Sequence, residues 1–170
     1  MAEPGPVAWP PAPIRTRRLV LRASEARDRT AFIDLFASPE VHAHLGGPRP
    51  RDELELFVVE LDGAMIGIVE LNRRDADHRS QVRPGAGEAE LGYLLLPTAW
   101  GHGYATEACA AALDWFAGEQ PGAPMVLSTS TANEPSLRLA RKLGFTEVGR
   151  FEEWGAEHWD GVWVPVTKTD

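Results

Sequence analysis

The sequence predicts an α/β domain of the α+β kind, with a mixed central sheet of about seven strands. Three observations support this fold class. Strand-like apolar segments alternate with segments of helical periodicity along the 170 residues, and a pair of strands is predicted towards each end. No internal repeat or low-complexity linker divides the sequence. We therefore expect one domain over residues 14–170, preceded by an extended, Pro- and Ala-rich arm over residues 1–13.

A strand and two helices are predicted to open the domain. Residues 18–23 alternate in polarity as a strand does. A helix capped by Ser24 or Asp28 follows, because apolar residues recur at helical spacing. These residues are Ala31, Phe32, Leu35 and Phe36. A shorter helix over residues 39–45 is expected to end at the breaker sequence 46–48, which reads Gly-Gly-Pro.

A hairpin comes next. The strand-like segments 54–61 and 64–71 are joined by Asp62-Gly63, and Asp-Gly is a strong signal for a two-residue turn. The following segment, residues 72–87, is rich in Asp, Arg and His and contains Pro-Gly. It is predicted to be an exposed loop.

The segment from Glu90 to Phe116 combines a strand, a glycine loop and a helix. Residues 91–96 form an apolar strand, 97–103 a turn with two glycines, and 106–116 an Ala-rich helix. The unpaired amides at a helix N-terminus attract anions, and glycine lets an anion approach the backbone closely. The loop contains no Lys or Arg, so an anion would be bound by main-chain N–H groups.

Two other phosphate-binding motifs do not fit this loop. A P-loop requires Lys and then Ser or Thr after its last glycine, whereas Tyr104-Ala105 follows Gly103. A dinucleotide-binding fingerprint requires a third glycine where Thr106 stands. The glycines taken alone are also explained by a turn that merely joins a strand to a helix.

The C-terminal third is predicted to hold a strand, a helix and a terminal strand pair. Residues 125–131 form the strand, and Asn133 caps a helix that ends at Gly144. Strands over residues 145–151 and 158–166 follow.

Composition narrows the functional class. The net charge of −8 argues against nucleic-acid binding and slightly favours cationic partners. No stretch is long and apolar enough to span a membrane, and the N-terminus lacks the features of a signal peptide. The single cysteine, Cys109, cannot form an internal disulfide, and no Cys/His cluster suggests a metal site. A cytoplasmic protein without a metal is expected.

Three motifs resemble one family, the GNAT superfamily of N-acetyltransferases. In its loop motif, Gln/Arg-x-x-Gly-x-Gly/Ala, Trp100 takes the first position, Gly103 the Gly and Ala105 the last. Residues 133–145 resemble the family's N-x-x-S/A…K-L-G-F helix, and residues 15–22 resemble the "TERLxLR" start of the ribosomal-protein N-terminal acetyltransferase (RimJ/RimL-type) branch. The resemblance implies a GNAT-like fold with helices on both faces of the sheet.

The resemblance also implies an activity, namely transfer of acetyl from acetyl-CoA to a primary amine by direct attack in a ternary complex. The acceptor would be a protein N-terminus or a small amine. A non-catalytic acyl-CoA-binding module with the same fold is the alternative, and a homodimer is left open. The implied coenzyme-binding residues are Leu94, Leu95, Leu96, Gly101, His102, Gly103, Tyr104, Ala105, Thr106 and Asn133.

The implied catalytic residues are a base and an acid. An amine with a pKa of about 10 must lose a proton before it attacks, and Glu90 or Glu70 is the candidate base. Ser136 is the candidate acid for the leaving thiolate, because Ala140 stands where many relatives carry a Tyr.

Overall fold

The computed structural model describes residues 11–42, 55–73, 89–153 and 155–165. Its strands form one mixed sheet in the order β1-β2-β3-β4-β5-β6-β8-β7. The strands are β1 (Ile14–Arg15), β2 (Leu19–Arg22), β3 (Glu55–Leu61), β4 (Ala64–Arg73), β5 (Ala89–Leu95), β6 (Met125–Ser130), β7 (Thr146–Glu153) and β8 (Ala156–Trp163). β5 and β6 run parallel, and the other neighbouring pairs are antiparallel. The predicted mixed sheet is confirmed.

Within the described ranges, four α-helices cover the two faces of this sheet. They are α1 (Arg29–Ala37), α2 (Pro39–His42), α3 (Tyr104–Glu119) and α4 (Glu134–Leu143). Successive strand residues point to opposite faces, so each strand serves both helical layers. Val58 and Ile68 pack with Leu35 of α1, whereas Phe57 and Val69 belong to the larger core with α3 and α4. The predicted arrangement of helices on both faces is confirmed.

The predicted hairpin is present. Leu61 of β3 pairs with Ala64 of β4 across Asp62 and Gly63. The φ angles of these two turn residues are 50° and 84°, and both lie in the left-handed region. A type I′ turn requires two such residues, and its twist matches that of the strands it joins. The dipeptide therefore fixes the β3–β4 register locally.

Several predicted boundaries differ from the structure, and one strand was not predicted. Most strand ends shift by one to three residues, and the first two residues of the predicted loop 72–87 are instead the end of β4, where both pair with β5. Ile14 and Arg15 form an edge strand paired with Leu21 and Val20, and two residues are too few to show alternation in a sequence. Helix α3 begins two residues before the predicted Thr106 and continues through Gly118. Its buried apolar face outweighs the helix-weakening effect of one glycine. The predicted end of the second helix, its stop at 46–48 and residues 74–87 of the predicted loop lie outside the described residues.

A buried ion cluster joins β2, β3 and the turn before α1. The Arg22 guanidinium donates two hydrogen bonds of 2.8 Å to the Asp28 carboxylate and one of 2.9 Å to Glu60 Oε1. The Asp28 side chain is 3% exposed. The hydrogen bonds from Arg22 hold the pKa of Asp28 below its ordinary value, although burial opposes this shift. The Arg22 side chain is therefore needed to keep two carboxylates charged inside the fold.

We expect Arg22→Ala to lower the free energy of unfolding by about 3–5 kcal/mol, because it leaves Asp28 buried without its cation. Urea unfolding measures the change. Arg150→Ala is the control, since Arg150 pairs with Glu147 and Glu157 at the surface and should contribute far less. Equal effects of the two substitutions would contradict this account of the cluster.

Candidate active site

A gap opens in the sheet between β5 and β6. In the described part of the chain, these two strands pair only at Ala89–Met125 and Glu90–Val126. Beyond that point β5 stays paired with β4 as far as Leu95, and β6 stays paired with β8 as far as Ser130. The carboxyl-terminal halves of two parallel strands therefore diverge and leave a cleft between them.

Main-chain groups of β5 line one side of this gap. The Leu96 amide donates to the Ile66 carbonyl of β4 at 2.8 Å, so this amide points away from the gap. Peptide groups alternate sides along a strand, which turns those of Tyr93 and Leu95 towards the gap. Of the three leucines predicted to bind the coenzyme arm, Leu95 thus presents its backbone to the gap. Leu94 and Leu96 pack their side chains against the α1 and α2 layer.

The predicted glycine loop connects the end of β5 to α3. The indole Nε1 of Trp100 donates to the Leu95 carbonyl at 2.9 Å and anchors the loop to the strand. Gly101 and Gly103 have φ angles of 81° and 80°, which favour glycine. The three residues Gly101, His102 and Gly103 are exposed. A side-chain carbon built on Gly101 would have no atom within 4 Å, so the space beside this glycine is open.

The first amides of α3 are available to an anion. The Glu107 amide donates to the Gly103 carbonyl at 3.1 Å and makes the first helical hydrogen bond. The preceding amides, from Gly103 to Thr106, therefore have no carbonyl acceptor within the helix. Gly103 is the N-cap residue and provides no capping side chain. The predicted loop residues Tyr104, Ala105 and Thr106 contribute their amides to this group.

A guanidinium that the sequence analysis did not predict lies beside this loop. Arg18, from the turn between β1 and β2, donates from Nη1 to the His102 carbonyl at 3.0 Å and from Nε to Glu107 Oε1 at 2.7 Å. Its guanidinium also lies over the Tyr104 ring, 4.5 Å from the centroid. Arg18 belongs to the segment 15–22 that carries a family resemblance, but its 84-residue separation from the loop hid the contact.

Glu107 is the shared acceptor that joins the loop to the β1–β2 turn. Besides Arg18 Nε, it accepts hydrogen bonds from the Thr16 hydroxyl and from the Arg18 amide. Burial alone would raise the pKa of the Glu107 carboxyl, but these hydrogen bonds from Thr16 and Arg18 lower it below its ordinary value. The carboxylate is therefore charged at neutral pH. We refer to Thr16, Arg18 and Glu107 as the loop clasp.

Ser136 lies on the other side of the gap, in the first turn of α4. Its amide donates to the Asn133 side-chain oxygen at 3.3 Å. Asn133 therefore caps the helix, which is one of the two roles predicted for it. The Ser136 hydroxyl lies 2.5 Å from the hydroxyl of Tyr93, which comes from β5. Tyr93 was not predicted as a site residue, and its signal was one aromatic ring in an otherwise aliphatic strand.

The two predicted base residues lie on the opposite face of the sheet from Tyr93 and Ser136. Asn72 of β4 is directly opposite Glu90, and Glu70 is opposite Gly92, so all three polar side chains share the α1 and α2 face. Glu70 is 2% exposed. Glu90 is half-buried, and it is the last residue of β5 that pairs with β6. The candidate base residues therefore lie near the start of the gap.

Cys109 is not a candidate nucleophile. Complete burial raises the pKa of its thiol well above the ordinary value, because desolvation disfavours the thiolate. Within the described residues, no cluster of three or more His, Cys, Asp or Glu side chains forms a metal site. In the same part of the chain, no helix is long and apolar enough to cross a membrane.

The fold and the comparisons with known proteins define the class of this protein as an acyltransferase. Residues 18–146 match the family described as "Acetyltransferase (GNAT) domain". The chain belongs to the GNAT family, which uses acetyl-CoA, and the prediction of an N-acetyltransferase is confirmed.

Relatives with known structures or names agree with this assignment. The chain is 31% identical to spermidine N(1)-acetyltransferase of Escherichia coli (strain K12) over 119 residues, which cover 70% of this chain and 56% of that protein. A GNAT acetyltransferase from Bacillus anthracis has a similar fold, with a TM-score of 0.73, 20% identity and coverage of 90% and 98% of the two chains. Mycobacterium smegmatis RimJ, solved in complex with CoA-disulfide, has a TM-score of 0.69, 22% identity and coverage of 92% and 88%.

We expect Glu107→Gln to lower the urea midpoint at pH 7, because the clasp loses its anion. A pKa that is lower in the folded state stabilises the fold above the ordinary Glu value of about 4.3, and this contribution is lost as the pH falls through the folded-state pKa. The difference from wild type should therefore shrink below about pH 4.

Glu134→Gln is the matched control for the clasp. Glu134 is also in the first turn of a helix, but its contact with Arg138 is 3.9 Å long and exposed. A difference between Glu107→Gln and wild type that stays constant from pH 7 to acid pH would show that the charge of Glu107 does not stabilise the fold.

Proposed function

We propose that this protein transfers acetyl from acetyl-CoA to the primary amine of a small cationic acceptor, by direct attack in a ternary complex. The observation that carries the proposal is the gap between β5 and β6, which leads to the open loop from Gly101 to Thr106. The gap provides strand backbone that no neighbouring strand pairs with, where an amide-containing arm could bind. The loop provides helix N-terminal amides for a diphosphate.

The chain's residues fit the donor in two places. The amides from Gly103 to Thr106 would hold the diphosphate, and the Arg18 guanidinium adds positive charge beside them. The gap-facing peptide groups of Tyr93 and the amide of Leu95 would bind the pantetheine arm as an added strand binds a sheet edge, while the Leu95 carbonyl accepts from the Trp100 indole. Acetyl-CoA supplies the acetyl group as a thioester. An amide of β5 would stabilise negative charge on the thioester oxygen.

The polar group on the α1 and α2 face would receive the acceptor. Glu70 and Glu90 offer carboxylates, and Asn72 offers an amide oxygen that is buried and has no hydrogen-bond partner in the described structure. Such acceptor atoms suit an ammonium group, which has donors and no acceptor. One of the two carboxylates, directly or through a water molecule, would take the proton that the amine loses before it attacks.

The named relatives favour a polyamine-like acceptor over a protein N-terminus. The E. coli relative that is 31% identical is named for spermidine. The solved ribosomal-protein acetyltransferases share the fold at lower identities, such as 16% for RimL. The net charge of −8 also suits a polycation. A protein N-terminus is therefore the second candidate acceptor.

The test of the proposal is an amine panel with acetyl-CoA. We expect thiol release and acetylated product, identified by mass spectrometry, with spermidine or a related polyamine as the best acceptor. An N-terminal peptide and an aminoglycoside complete the panel. Binding of CoA without release of thiol with any amine would support the alternative, a non-catalytic acyl-CoA-binding module.

The same assay includes one variant of the coenzyme loop. Gly103→Trp should abolish thermal stabilisation by CoA, because an indole at this left-handed position would strain the loop and cover its amides. Gly122→Trp is the matched control, since Gly122 has a φ of 78° and open space at the far end of α3. Equal stabilisation of both variants by CoA would place the coenzyme elsewhere.

The base is identified by two matched variants. We expect either Glu70→Gln or Glu90→Gln to lower kcat/KM by about 10²–10⁴-fold at neutral pH, because a positioned base contributes that much. If both variants keep the wild-type kcat/KM, neither carboxylate is the base.

A further inference from the structure

The Tyr93–Ser136 contact joins the two walls of the gap. Tyr93 lies on β5, three residues beyond the last β5–β6 pair, and Ser136 lies on the helix that follows β6. Their oxygen atoms are 2.5 Å apart, and either atom can be the donor by geometry. Ser136 is 8% exposed. A close hydroxyl pair is thus built into the fold where two neighbouring strands have separated.

Both residues are held in place independently of this contact. The Tyr93 ring packs against the core under α3 and α4. The Ser136 backbone is fixed by the Asn133 cap, and Ala140, one helical turn later, is completely buried. The hydroxyl of each residue is therefore delivered to the same point by separate elements, and the pair does not depend on a flexible side chain.

The direction of this hydrogen bond decides what Ser136 can do. A serine hydroxyl has one proton, and a serine that donates it to Tyr93 has none to give to a leaving group. A phenol is the better donor of the two groups. Burial raises the pKa of Tyr93 to about 12, even though the hydrogen bond with Ser136 lowers it, so the phenol keeps its proton at any working pH. Donation from Tyr93 to Ser136 is the arrangement that leaves the serine proton free.

We propose that Tyr93 is a positioning residue for Ser136, donating its O–H to Ser136 Oγ and turning the serine proton towards the gap. The inference rests on the proposed function. Ser136 transfers its proton to the sulfur as the carbon–sulfur bond breaks and the electron pair of that bond stays on sulfur. Ser136 then recovers a proton from water. The phenol of Tyr93 touches neither substrate in this scheme and acts through the orientation of one hydroxyl, whereas the Tyr93 backbone faces the coenzyme arm.

The test compares Tyr93→Phe with Ser136→Ala and with the double variant. We expect Tyr93→Phe to lower kcat by about 10- to 100-fold, which is part of the effect expected of a general acid. The KM for acetyl-CoA and the calorimetric Kd for CoA should stay within about twofold of wild type, because coenzyme binding does not use the phenol O–H. In a Ser136→Ala background, Tyr93→Phe should have no further effect on kcat.

Thr146→Val is the control for loss of one hydroxyl, at an exposed position at the start of β7. It should behave as wild type in kcat and in thermal melting. The Tyr93→Phe protein should also bind CoA and melt near the wild-type temperature, which shows that it is folded independently of the activity measurement.

Three results would overturn the inference, and they separate it from the proposed function. A normal kcat for Tyr93→Phe, together with a low kcat for Ser136→Ala, would leave the proposed function intact and show that Tyr93 does not position Ser136. Additive losses in the double variant show that Tyr93 acts independently of Ser136. Wild-type protein that binds CoA but transfers no acetyl to any amine overturns the proposed function and this inference with it.

Discussion

The structure depends on one constraint, the separation of β5 from β6 beyond Glu90 and Val126. Each strand satisfies its backbone on the outer side, β5 against β4 and β6 against β8. A sheet interior normally pairs both sides of a strand, and unpaired buried peptide groups are costly. A ligand with amide groups can form hydrogen bonds with the gap-facing peptide groups in place of a neighbouring strand. This interruption of the sheet is the reason that we propose the gap as the coenzyme site.

Gly67 lets the end of β5 pack unusually closely on β4. It lies opposite Leu95, and a side-chain carbon built on it would be 2.3 Å from the Leu94 carbonyl oxygen. The neighbouring Ile66 is the extra residue of a β-bulge, since Val59 pairs with Gly67 and Glu60 with Met65. Bulges increase local twist and redirect strands. The absence of a side chain at Gly67 lets the end of β5 approach β4 more closely than other residues allow.

Local features of the site could be predicted from the sequence, and long-range contacts could not. The glycine loop, the Asn133 cap and the Asp62-Gly63 turn each depend on a few consecutive residues, whose φ angles or side chains decide the structure. Arg18 contacts a loop 84 residues away, and Tyr93 meets Ser136 across 43 residues. Nothing in a single sequence encodes such pairings directly. The two-residue β1 strand was missed because its pairing with β2 is all that defines it.

The two faces of the sheet divide the proposed chemistry. Tyr93 and Ser136 lie on the α3 and α4 side, and Glu70, Asn72 and Glu90 lie on the α1 and α2 side. The alternation of side chains along β5 produces this division, since Glu90 and Tyr93 are an odd number of residues apart. In the proposed scheme, a carboxylate on one face removes a proton from the acceptor, and Ser136 on the other face gives a different proton to the leaving group. The gap is where both faces become accessible to one bound molecule.

The most direct measurement is the change in backbone amide NMR signals when CoA is added to the protein. The account predicts that the largest changes fall on the gap-facing residues of β5 and on the amides from Gly101 to Thr106. It predicts small changes in β7, which lies at the far edge of the sheet. Unchanged signals along β5 and the loop at saturating CoA, with shifts confined to another surface, would contradict the assignment of the gap as the coenzyme site.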